Sequence, residues 1–140
     1  MNKEQLDKIL TEHSEWLSTD GASGERADLR WANLRWANLS GAKLSGADLT
    51  GADLWNCAGN RKNIKSIFVS EDYAIVYTSE YMQIGCERHL ISEWAEFGDA
   101  RIIEMDGKRT LKFWREWRDI IFMLIEKSPA EPAGYVEEEK

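Results

Sequence analysis

The sequence predicts an α+β protein. Three observations carry that reading: a helical apolar stripe at the N-terminus, a five-residue repeat after it, and strand patterns followed by helices in the second half. The 140 residues, 43% hydrophobic and 31% charged, suffice for one compact domain with an appended module and leave no room for a second independent core. No apolar run approaches the ~20 residues of a membrane span. The charged start, MNKEQLDKILTEHSEW, lacks the apolar core of a signal peptide. Two cysteines make no disulfide framework, and a reducing cytoplasm is the expected setting. Eighteen basic against 25 acidic side chains leave a net charge of −7. A sequence-independent phosphate binder would be basic, so the balance points away from direct nucleic-acid binding and towards proteins that hold nucleic acid.

Element by element, residues 2–18 carry Leu6, Ile9, Leu10, His13, Trp16 and Leu17 on one helical stripe, ended by Thr19-Asp20-Gly21. His13 falls on that stripe and reads as a satisfied core histidine. Residues 27–54 then read ADLRW ANLRW ANLSG AKLSG ADLTG ADL. Leucine recurs every five residues from Leu29 to Leu54, with alanine two residues before each, a period that is neither helix nor strand.

This pattern resembles the pentapeptide-repeat family. The resemblance implies a short right-handed quadrilateral β-helix in which each pentapeptide forms one side, leucine and alanine point inward, and residues twenty apart stack. Leu29 would then lie over Leu49, and Ala27 over Ala47. The N-terminal helix would cap one end. Residues 21–26 and 55–60 are expected to add degenerate sides. Two coils at ~4.8 Å each are far shorter than the ~34 Å of a duplex turn, and the repeat charges balance, so the DNA mimicry of long family members does not transfer. At the position where the family favours glycine stand Trp31 and Trp36, each after an arginine (Arg30, Arg35). They are expected to face outward on neighbouring sides, with Arg35 meeting Trp55 one coil later. The functional reading is an exposed anchor patch; the alternative is cover by another segment of the chain.

Beyond residue 59 the period is lost. Residues 66–69, 73–78 and 81–86 read as strands of a small antiparallel meander. Residues 91–97 and 100–105 read as short helices, the first with Ser92 as its cap, and Gly107 separates them from a long helix over 109–127. The apolar face of that helix, which includes Phe113, Trp114, Trp117, Ile120 and Ile121, must be buried. The expected organisation is a capping helix (1–20), the repeats (21–60), a C-terminal β-meander with helices (61–128) and an acidic tail (129–140), frayed over 134–140.

Between residues 71 and 106 the acids Glu71, Asp72, Glu80, Glu87, Glu93, Glu96, Asp99, Glu104 and Asp106 face only Arg88 and Arg101, which accounts for the whole net charge. Such a field steers a basic partner, unless it is an ordinary solubilising face. Cys86-x-x-His89 is half of a zinc motif, and Cys57 and His13 complete the right number of ligands. Neither has a second ligand at short spacing, so a buried Cys86 and a hydrogen-bonded His89 are expected, with no metal and no cofactor. No phosphate loop, nucleophile elbow or paired-histidine motif appears, and the chain reads as non-enzymatic.

The helix, the repeats and the region 64–128 (IGC-x-x-H, a following Trp, MDG, then FW-x-x-W) together resemble short pentapeptide-repeat proteins of bacteriophage and prophage genomes. That resemblance implies an accessory protein binding a host protein, such as CRISPR or restriction machinery, through its acidic surface. Two other readings are a module that dimerises through its solenoid end or its tryptophan patch, and a Cys-His metal-binding protein. Partner contacts are expected at Arg30, Trp31, Arg35, Trp36, Glu71, Asp72, Glu80, Glu87, Glu93, Glu96 and Asp99.

Overall fold

The structure, a computed structural model, describes residues 1–133; most of the expected acidic tail lies outside them. Helix α1 (Lys3–Ser18) opens on a reciprocal cap, in which Asn2 accepts from the Gln5 amide and the Gln5 side chain accepts from the Asn2 amide. Its Leu6 is buried among the repeat leucines, and its His13 is buried as well.

Each pentapeptide step is a hydrogen-bonded turn. The amides of Ala32, Ala37, Ala42, Ala47, Ala52 and Cys57 each donate to the carbonyl of the leucine three residues before. The third residue of every turn is left-handed: Trp31, Trp36, Gly41, Gly46, Gly51 and Asn56 all have φ between 52° and 78°. The Asp or Asn before the leucine has its own task. Its carboxylate or amide oxygen accepts the amide two residues on, at Asp28, Asn33, Asn38, Asp48 and Asp53. Leu29, Leu34, Leu39, Leu44 and Leu54 are buried, whereas Leu49 is only partly so.

The expectation of a quadrilateral β-helix is corrected here. Residues 21–60 contain no β-strand: the bridging pairs twenty apart, Asp28 with Asp48, Asn33 with Asp53 and Asn38 with Ala58, are each an isolated parallel bridge, and the backbone hydrogen bonds between them, such as Leu29 to Asp48 and Trp31 to Thr50, do not join them into a ladder. A turn in every five residues leaves one bridging residue per step, and a ladder needs consecutive pairs. Residues 55–58 continue the turns, but 21–26 do not. They form the exit from α1, where a Cβ on Gly24 would run into the Glu12 carbonyl.

The sheet of the molecule lies beyond the repeats and is open, neither closed nor curled. Strands β1 (Lys65–Ile67), β2 (Ile75–Tyr77), β3 (Tyr81–Ile84) and β4 (Glu87–Leu90) pair antiparallel in sequence order. The expected three-stranded meander thus has a fourth strand, reached through the two-residue turn Gly85-Cys86. One row of the sheet, Ser66–Val76–Gln83–Arg88, faces the repeats, and Val76 joins their core. The other face packs Ile67, Ile75, Tyr77, Met82 and Ile84 against helices α2 (Ile91–Glu96) and α3 (Asp99–Lys127). Both faces of the sheet are therefore covered.

Helix α2 begins at Ile91, and its cap is not Ser92: the Glu93 carboxylate accepts the Leu90 amide. Helix α3 is broken at Asp106 and Gly107, the latter at φ 71° and ψ −154°, so the expected separation at Gly107 appears as a break. Phe113, Trp114 and Ile121 bury its apolar face, while Ile120 stays exposed. After α3 the chain returns to the repeats: the Glu131 amide donates to the Lys62 carbonyl, and the Gly46 amide to that of Ala133. Residues 129–133 are thus docked, with Ala130 buried, and residues 134–140, where fraying is expected, lie outside the described residues. No helix among the described residues is long and apolar enough to cross a membrane.

Candidate functional site

The repeat turns aim their left-handed residues outward, which sets the position of the two tryptophans. Trp31 and Trp36 are 76% and 69% exposed. Phe68 is exposed as well, and Ile120 and Met123 lie one turn apart on α3, but only the tryptophans stand as a pair at repeat spacing. No described segment covers either indole. Trp31 rests on Gly51, twenty residues later, where any Cβ would overlap its ring. Trp36 stands edge-on against Trp55, with ring centres 4.6 Å apart.

The arginines hold this face in place. Arg35 lies 5.1 Å from the Trp55 ring centre, as the family resemblance implied, and its Nε donates to Asp53 at 2.8 Å. Arg30 makes a two-point contact with Asp28, Nε and Nη2 each at 2.8 Å, and lies 3.7 Å from Asp48. The Arg30 hydrogen bonds hold the Asp28 carboxyl below its ordinary value. Burial opposes ionisation of Asp53, but hydrogen bonds from Gln83 and the Trp55 amide, with Arg35, outweigh it and lower its pKa. Both guanidinium groups are thus neutralised locally, and the face offered to solvent is aromatic.

Gln83 is a site residue that the sequence did not disclose. It is buried on β3, accepts the Leu54 amide at 2.9 Å and donates to Asp53 at 2.7 Å. It therefore joins the carboxylate that holds Arg35 to the sheet. Gly51 was legible in principle, because it stands twenty residues after Trp31.

The acidic residues do not form one free surface. Asp72 lies 3.7 Å from Arg109, Asp99 pairs with Arg115, Glu87 lies 3.8 Å from His89 and Glu93 caps α2. Glu71, Glu80 and Glu96 are exposed, and among the described residues their carboxylates have no ion pair or hydrogen bond. The local sum neglected the cations that α3 folds back over this region.

The cysteines and histidines are not brought together. Cys57, in the small inward position of its turn, is the buried thiol, and burial pushes its pKa up to about 11. Cys86 was expected to be buried; it sits exposed at the tip of the two-residue β3–β4 turn, which projects from the sheet towards solvent. His89 packs edge-on against Trp94 and Phe97, and its Nε2 lacks the expected hydrogen bond. His13 is buried across the molecule, accepting the Ala27 amide at Nδ1 and donating from Nε2 to the Ser45 carbonyl. Among the described residues no group of His, Cys, Asp and Glu is arranged to hold a metal ion.

Residues 27–58 match the family model of pentapeptide repeats in eight copies. Neither a curated protein nor a solved structure matches the chain. The segment that carries the Trp31–Trp36 face is therefore a pentapeptide-repeat segment, extending one turn beyond the six clear repeats.

Proposed function

We propose that this chain is a non-enzymatic protein-binding module whose contact surface is the Trp31–Trp36 face with Arg30 and Arg35. One observation carries the reading. Two tryptophans occupy left-handed turn positions that glycine fills at Gly41, Gly46 and Gly51, and they hold their rings in solvent. Folding gains little from such residues, whereas tryptophan and arginine dominate interface energetics. Pentapeptide repeats generally serve protein–protein interaction, which supports the same reading.

The partner class in this reading is a host protein bound by a phage accessory protein, an inhibitor of nucleic-acid-handling or defence machinery. The exposed carboxylates of Glu71, Glu80 and Glu96, unpaired among the described residues, favour a basic surface on it. Capture from a bacterial lysate tests both surfaces. The Trp31→Gly/Trp36→Gly variant is expected to lose the partner, and Glu71→Gln/Glu80→Gln/Glu96→Gln to weaken capture several-fold and reduce its salt sensitivity. Full capture by the tryptophan variant would overturn the reading. Self-association is the second reading, because two aromatic faces of this kind fit each other. A wild-type dimer in sedimentation that the tryptophan variant abolishes would establish it.

A further inference from the structure

Between the β3–β4 turn and the break in α3 lies a cavity of about 210 Å³. Its buried walls are Ile84, Trp94, Ile102, Phe113 and Trp114. Its lining reaches solvent at Tyr73, Glu87 and Asp106. Two features distinguish it from a packing gap. Trp114 is only 4% exposed, and its Nε1–H has no acceptor among the described residues. A buried donor without an acceptor is unfavourable, and an occupant that supplies one is favoured. The second feature is charge. Glu87 and Asp106 are lining residues and no lysine or arginine is, while Arg109, stacked 5.2 Å from the outer Tyr73 ring, lies 3.7 Å from Asp72. Asp106 accepts the Tyr73 hydroxyl at 2.7 Å, which fixes that carboxylate beside the break.

A dry apolar cavity of ~150 Å³ takes benzene, so this volume suits one substituted ring. We propose that the cavity binds a small aromatic amine. The ring lies among Trp94, Phe113 and Trp114, a ring substituent accepts the Trp114 N–H, and the ammonium sits at the mouth near Glu87 and Asp106. Aromatic walls with carboxylates at the opening favour a cation over an anion of the same shape.

Titration of the full chain with tyramine, phenethylamine and 4-hydroxyphenylacetate, followed by the indole N–H resonances, tests this. Tyramine is expected to shift the Trp114 resonance and to bind at least tenfold more tightly than 4-hydroxyphenylacetate. Phenethylamine, which lacks the ring acceptor, should bind several-fold more weakly than tyramine. Glu87→Gln/Asp106→Asn should remove the preference for the amine, and Ile102→Trp, checked for an intact melt, should block all three probes. Equal affinity for the carboxylate probe, or no resonance shift with any probe at millimolar concentration, would overturn the proposal.

Discussion

A left-handed backbone angle costs a side chain with a Cβ about 1–2 kcal/mol, and Trp31 and Trp36 both bear it. Their ring contacts, with Gly51 and with Trp55, recover a comparable part. Trp31→Gly should therefore change stability by less than about 1 kcal/mol in urea unfolding, the relieved strain offsetting the lost contact. Gly51→Ala should behave differently, because its φ of 71° and the overlying Trp31 ring both resist a Cβ. A loss of about 1–3 kcal/mol is expected there. His13 is the second residue whose chemistry is fixed by folding. Burial lowers its pKa against the opposing Ser45 hydrogen bond, and nearby Arg26 adds to the lowering. The unfolded chain therefore binds the proton more readily. Stability is full above the ordinary histidine pKa and falls as pH drops through it towards the folded value. The urea midpoint should decline between pH 7.5 and 5, and His13→Gln should remove that component. That His13 is buried was legible from the helical stripe. Its partners were not, because Ala27 and Ser45 lie 14 and 32 residues away.

Among the elements, the sheet is held to the repeats by side chains rather than by a shared ladder. Gln83 bonds the Leu54 amide and Asp53, and the Ser66 hydroxyl bonds the Cys57 carbonyl. Gln83→Leu leaves the Leu54 amide and Asp53 without that partner, at a cost of about 1–3 kcal/mol. Exchange of the Leu54 amide should accelerate beyond the change in global stability. At the break in α3, Gly107 adopts a backbone region open essentially to glycine alone, with nothing within 4 Å of where a Cβ would stand. Gly107→Ala should cost about 1–3 kcal/mol through backbone strain alone, read as a lower melting temperature. The sequence disclosed the helices and three strands through their periodicity. It concealed β4, because Glu-Arg-His-Leu offers neither β-branched residues nor alternation. The inward leucines that the family resemblance implied are found, whereas the hydrogen-bonded turns were not foreseen and the quadrilateral β-helix did not follow, since single bridges do not extend into strands.

Across the whole molecule, the sheet lies between two cores, one shared with the repeats and α1, the other with α2 and α3. Residues 129–133 close the assembly by returning to Lys62, Asn63 and Gly46. That return is invisible to local pattern, because a proline-bounded segment reads as a tail until its partners are placed. The charge pattern was distorted in the same way: Arg109 and Arg115 come back over Asp72 and Asp99, so the proposed contact surface rests on the aromatic repeat face. The most direct measurement takes the Trp31→Gly/Trp36→Gly chain and reads unfolding free energy and partner retention on the same preparation. Stability within about 1 kcal/mol of the parent together with lost binding is the predicted result. A fall of several kcal/mol with binding intact would contradict it, since the indoles would then be serving the fold.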